Sequence, residues 1–193
     1  MIVNTRGISL VEMIVAMTAL SIVMVLVVNV IVQHSVQSAD PVLSLRASEL
    51  GRAWMDEISN KAFDENGDLN SGTFRCDEAG QAQCSAIDDC DAVPSNREEA
   101  NREDFDDVDD YHCLSVSGSD IENSLGVSSG SLYSGYSVTI TVGYDGDFDG
   151  VLDDGDVSSE RVAKLIIVAV TPPTSLGSVD NFTLRFASYR ANY

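Results

Sequence analysis

The stretch DGDFDGVLDDGD, Asp145 to Asp156, sets six aspartates around three glycines. Carboxylates this close repel one another unless a cation sits between them. A hard ion such as Ca²⁺ takes about six to eight oxygens from one short loop. The spacing fits a calcium-loop template, with acids at the first, third, fifth, ninth and twelfth positions and glycine at the sixth. Asp145, Asp147 and Asp149 would each give one oxygen, and Gly150 the sharp turn. Val151 would offer its backbone carbonyl, Asp153 a direct or water-mediated contact, and Asp156 closure of the site. Two features depart from the helix–loop–helix form: the flanks read as strands, and aspartate stands where a bidentate glutamate is usual. The expectation is an isolated Ca²⁺ loop inside a β-hairpin, against the plainer alternative of an acidic solvated turn. DENGDLN (Asp64, Asn66, Asp68, Asn70) is a partial echo without glycine at the sixth position.

Cys76, Cys84, Cys90 and Cys113 form no CxxC pair, and His34 and His112 lie far apart in sequence, so a zinc site reads poorly. An even cysteine count fits two disulfides in an oxidising compartment; the alternative is four buried thiols. Four cysteines allow three connectivities, of which proximity favours Cys76–Cys84 with Cys90–Cys113.

Glu12 is the third chemical feature. From Ile8 to Val32 it is the only charged residue, and no Gly or Pro falls between Ile8 and Ala39. At about 1.5 Å per residue a helix there spans a bilayer core of about 30 Å. A signal peptide would have a shorter apolar core and a small-residue cleavage site. Arg6, the only Lys or Arg before Arg46, keeps the N-terminus cytoplasmic and the remainder exported. A carboxylate in such a helix costs roughly 2.5–3.5 kcal/mol and is usually partnered. If the chain is cut after Gly7, the new Ile8 amine of one subunit could meet Glu12 of another. At 4 Å and an effective dielectric of 20 that attraction is about 4 kcal/mol before desolvation, comparable with the insertion cost.

The elements that must position these residues follow from pattern. Residues 1–7 read as a short lead-in and 8–39 as a membrane helix. Asp40-Pro41 reads as a cap with proline at the first helical position, hence a kink or restart. Over 40–63 the residues Leu43, Ala47, Leu50, Trp54, Ile58 and Ala62 make one apolar stripe of an amphipathic helix, with Trp54 in the core. Gly51 lowers local helix propensity by about 1 kcal/mol. Residues 64–130 read as an acidic, cysteine-bearing irregular region. Residues 131–193 read as a sheet of three antiparallel strands, in YSGYSVTITVGY, RVAKLIIVAVT and NFTLRFASYRANY, with Pro172-Pro173 in a loop.

RGISLVE, Arg6 to Glu12, ahead of this apolar helix resembles the class III signal of type IV pilins and type II secretion pseudopilins. The resemblance implies a pilin-like α+β fold, a long N-terminal helix packed on a C-terminal antiparallel sheet. It implies that a prepilin peptidase cuts after Gly7 and methylates Ile8, with Glu12 setting subunit register. It also implies storage in the bacterial inner membrane, then an assembly platform adding the subunit to an extracellular pilus of other pilins. Ile8 departs from the family's usual phenylalanine, and Asn29 from a region where many major pilins carry proline. DPVLSLRASELGRAWMDEISNKAFDEN, DFDDVDDYH and LRFASYRANY are further similar to minor pilins of the mannose-sensitive haemagglutinin (MSHA) type, which implies a low-abundance subunit of an attachment pilus. The rivals are a minor pseudopilin and an unprocessed single-pass calcium-binding surface protein. A net charge of −20 repels phosphate backbones and argues against nucleic acid. There is no P-loop, no HExxH and no catalytic Cys/His pattern, so a structural protein rather than an enzyme is expected.

Overall fold

A computed structural model describes residues 9–67, 74–87, 90, 99, 101–123, 125–153, 159–174 and 182–192, with the backbone alone for 30–40. The chain divides into two compact units, Met1–Val42 with Ser175–Ser178, and Leu43–Thr174 with Val179–Tyr193. One helix, α1 (Leu10–Ser59), contributes to both.

In the first unit, Leu10–Asn29 is long and apolar enough to cross a membrane, and its side chains are exposed on every side. A helix apolar all round has no stable place in water. Its hydroxyls are already satisfied: Thr18 Oγ1 donates to Val15 O (2.9 Å) and Ser21 Oγ to Met17 O (2.8 Å). Such back-bonding hides polar groups from an apolar surround.

Of the kink or restart expected at Asp40-Pro41, the restart does not occur, since α1 runs through Pro41 as one helix. Proline removes one helical N–H but its fixed φ is helical, so turns on both sides carry the element past it at a cost of about 3 kcal/mol. The C-terminus also comes earlier than residue 63. Asn60 Nδ2 donates to Asp56 O (2.6 Å) and covers one of the last carbonyls. Ala62 has left the helix and bridges Asp107 in parallel, with its N–H on Asp106 O (3.1 Å).

In the second unit the stripe Ala47, Leu50, Trp54 and Ile58 is buried as the pattern predicts. It packs on Val138, Ile140, Val142, Ile166, Val168 and Val170. Among the described residues the sheet has four strands rather than three: β1 (Ser115–Ser117), β2 (Ser137–Tyr144), β3 (Ala163–Thr171) and β4 (Leu184–Ala191). All pair antiparallel in the order β1-β2-β3-β4. β1 and a 3-10 turn, η1 (Asp109–Tyr111), fall inside the region expected to be irregular. Val138, Ile140 and Val142 alternate on β2 and oppose Val170, Val168 and Ile166, so both strands send the same face to α1. Gly51 lies where a Cβ would stand 2.2 Å from Cε2 of Phe186 on β4, which explains a glycine inside the helix. A second cluster joins Phe63, Tyr144, Cys76 and Cys84, with Ile87 against it.

Candidate functional site

Glu12 lies in the first turn of α1 and is exposed. The partial positive charge of a helix N-terminus favours a carboxylate there. Gly7 and Ile8 lie outside the described residues.

The acidic loop joins β2 to β3, as expected of a hairpin. Asp145 N–H donates to Ala163 O (3.1 Å) and Asp153 N–H to Tyr144 O (2.7 Å), which closes its base. Asp145, Asp147 and Asp153 bring one carboxylate oxygen each within 4.8 Å of one another. Asp145 is buried, and its carboxylate accepts from the N–H groups of Asp149 (3.2 Å) and Gly150 (2.9 Å) and from the Tyr189 hydroxyl (2.5 Å). Burial opposes ionisation of Asp145. The Tyr189 hydroxyl, with the N–H groups of Gly150, Asp149 and Phe148, outweighs it and holds the carboxyl below its ordinary value. The same bond, helped by burial and the Asp145 charge, pushes the Tyr189 phenol up to about 12. Gly150 takes φ 86°, the left-handed turn assigned to it from spacing. Asp149 belongs to the same turn but caps Val151 N–H (2.8 Å), and Val151 is exposed. Asp156 lies outside the described residues. Tyr189, which comes from β4, is the residue the linear motif could not reveal.

The partial echo fares differently. Asp64 is buried, and its carboxylate is taken up by Lys164 Nζ (3.0 Å), Ser85 N–H (2.8 Å), Ser85 Oγ (3.2 Å) and Asn66 N–H (3.0 Å). Asp68 and Asn70 lie outside the described residues.

The structure pairs Cys76 with Cys84 and Cys90 with Cys113, the connectivity that proximity favours. Cys113 takes φ 58°, a left-handed conformation unusual for a non-glycine residue. His112 Nδ1 accepts from Val142 N–H (3.1 Å), and its Nε2 stands 3.8 Å from Cys90 Sγ. GVSSG, Gly126 to Gly130, has the Gly-x-Ser-x-Gly spacing of a serine nucleophile. Ser128, however, sits in an isolated bridge with Glu122 rather than between a strand and a helix, and its Oγ donates to Ser119 O (3.1 Å).

Two charged clusters were not legible from motifs. Arg102 donates two bonds to Glu57 (3.1 and 2.6 Å) and covers the Trp54 ring at 3.7 Å, while Tyr111 Oη donates to Glu57 Oε1 (2.9 Å). Burial first, then the Glu57 charge, raises the Tyr111 phenol above its ordinary value. Beneath β3, Lys164 is fully buried and spends all three N–H donors, on Phe63 O (2.7 Å), Asp64 Oδ2 (3.0 Å) and Asp109 Oδ1 (2.5 Å). Asp107 is buried beside it and accepts the N–H groups of Glu65 (2.7 Å), Asp109 (3.0 Å) and Asp110 (3.4 Å). Burial pushes the Asp107 carboxyl up to about 9, with the charge and side-chain hydrogen bond of Asp109 adding to it. The Lys164 charge opposes this rise without cancelling it.

No protein-family model, curated protein or solved structure matches this chain.

Proposed function

We propose that the chain is a structural subunit of a surface filament, a minor pilin of the MSHA type. In this reading it waits in the inner membrane on the apolar half of α1. A prepilin peptidase cuts after Gly7 and methylates Ile8. An assembly platform then moves α1 into the filament among other pilins. The observation that carries the reading is α1 itself: an apolar span with Glu12 in its first turn, continuous with an amphipathic half that packs on an antiparallel sheet. Glu12 supplies the driving force. Alone in a bilayer the carboxylate is costly, and the amine of a neighbouring subunit's first residue offsets that cost only once the two are packed together.

The test is the intact mass of the chain in filaments sheared from the source cells. A mass lacking residues 1–7 and carrying a methyl group supports the pilin. A processed chain confined to the envelope points instead to a minor pseudopilin. An uncut chain with surface display unchanged by Glu12→Ala points to a single-pass calcium-binding surface protein.

The acidic loop supports a second, compatible reading, a Ca²⁺ site that orders the β2–β3 hairpin. Three carboxylates converge within 4.8 Å around a glycine turn, and Asp145 stays ionised. Titration of the full chain in detergent with Ca²⁺ or Tb³⁺ should show saturable binding at about 10⁻⁴–10⁻³ M, typical of extracellular modules. Asp145→Asn should abolish it, and no saturation below several millimolar would sink the reading.

A further inference from the structure

We propose that Lys164 and Asp109 condense, without any enzyme, into an intramolecular isopeptide bond joining β3 to η1. The observation is a fully buried amine pressed against a carboxyl group that is itself mostly buried. Lys164 is fully buried, Asp64 and Asp107 nearly so, and the Asp109 side chain is 15 % exposed. The Phe63 and Tyr144 rings lie 4.6 and 5.4 Å from the amine.

Of the two carboxylates that touch the amine, Asp109 is the reactive one. It is the nearer, at 2.5 Å against 3.0 Å. Asp64 is held by Ser85 and Asn66 and serves to fix the amine in place. Asp109 also has a second carboxyl group at hand, since its N–H donates to Asp107 Oδ1 (3.0 Å).

The step balances within the pocket. One ammonium proton passes from Lys164 to the Asp109 carboxylate, which leaves a neutral amine beside a neutral carboxylic acid. The Lys164 nitrogen attacks Asp109 Cγ to form the C–N bond. Neutral Asp107 gives its proton to the departing hydroxyl, the C–O bond breaks, and one water leaves. Asp107 regains a proton from the nitrogen. Nothing is oxidised or reduced, and one positive and one negative charge vanish together. Holding both reactants in contact makes the reaction effectively unimolecular. A dry site favours the amide over its hydrolysis and strengthens the proton transfers. Asp107 here acts as general acid and base for the reacting carboxyl group.

The test uses the full chain, purified in detergent, then denatured, reduced and alkylated. Its intact mass should be lighter than the processed or unprocessed sequence by one water. Digestion should yield a branched peptide joining the Lys164 segment to the Asp109 segment. Asp107→Asn should cut the branched fraction at least tenfold, and Asp107→Glu should restore part of it. A wild-type chain of full mass with only linear peptides overturns the proposal, whatever the variants do. The loss of one water traced to a cyclic imide at Asp145-Gly146 or Asp149-Gly150 overturns it as well. A branch from Lys164 to Asp64 instead of Asp109 overturns the assignment of the partner.

Discussion

Arg102 does three things with one guanidinium. It pairs with Glu57, covers the face of Trp54, and donates to Glu122 O (2.8 Å). Removing one partner of a buried pair costs about 3–5 kcal/mol, and the partial exposure of these side chains, 18 % and 13 %, lowers that to about 2 kcal/mol. Arg102→Ala should therefore lower Tm by about 4–8 °C. Trp54 is the chain's single tryptophan, so its emission should shift to the red in the same variant. An unshifted spectrum would show that the guanidinium does not shield the ring. Trp54 was legible from its place on the stripe, because helical spacing alone puts it on the buried face. Arg102 was not, because it sits in an acidic run and its partner is 45 residues away.

Between elements, Gly51 of α1 lies directly under the ring of Phe186 of β4. Alanine at this position would gain about 1 kcal/mol of helix propensity. The added methyl would meet the ring at 2.2 Å, and overpacking of this kind costs about 1–3 kcal/mol. The collision should win, so Gly51→Ala should destabilise the protein modestly in urea unfolding. Combining it with Phe186→Leu should reverse the sign by freeing the propensity gain. Two independent additive losses would refute the contact. The long strands were legible without help from the rest of the chain: β2 from its β-branched alternation, β3 from its apolar run, and β4 from the alternation of Leu184, Phe186 and Ser188 with Arg185, Ala187 and Tyr189. β1 has only three residues and no periodicity to read, and it is a strand only because β2 offers it a partner. Lys164 reads in the sequence as an ordinary polar position of a strand. Its burial depends on Asp64 and Asp109, 100 and 55 residues away.

For the whole molecule, the carboxylates divide into two groups with opposite dependence on pH. The Arg161 hydrogen bond and charge hold Asp77 below its ordinary value of 3.8, as the hydroxyl and N–H donors do for Asp145. Stability from these two is present above pH 3.8 and disappears as pH falls below it. Asp107 is the reverse. Its contribution is complete below 3.8 and is lost as pH rises toward about 9. Tm measured on the full chain in detergent should peak at about pH 4, near the ordinary carboxylate value, and fall in both directions. Asp107→Asn, which stays neutral, should flatten the alkaline arm alone; an unchanged alkaline arm would contradict a neutral Asp107. β2, β3 and β4 each pair with the strand made just before, so their pairing needs only local loop closures and can keep pace with synthesis. The cover over Gly51 comes from β4, nearly the last segment to emerge. A chain halted before residue 184 would present the free edge of β3 and an uncovered notch in α1, a stalled intermediate that proteases and chaperones can tell from a finished fold.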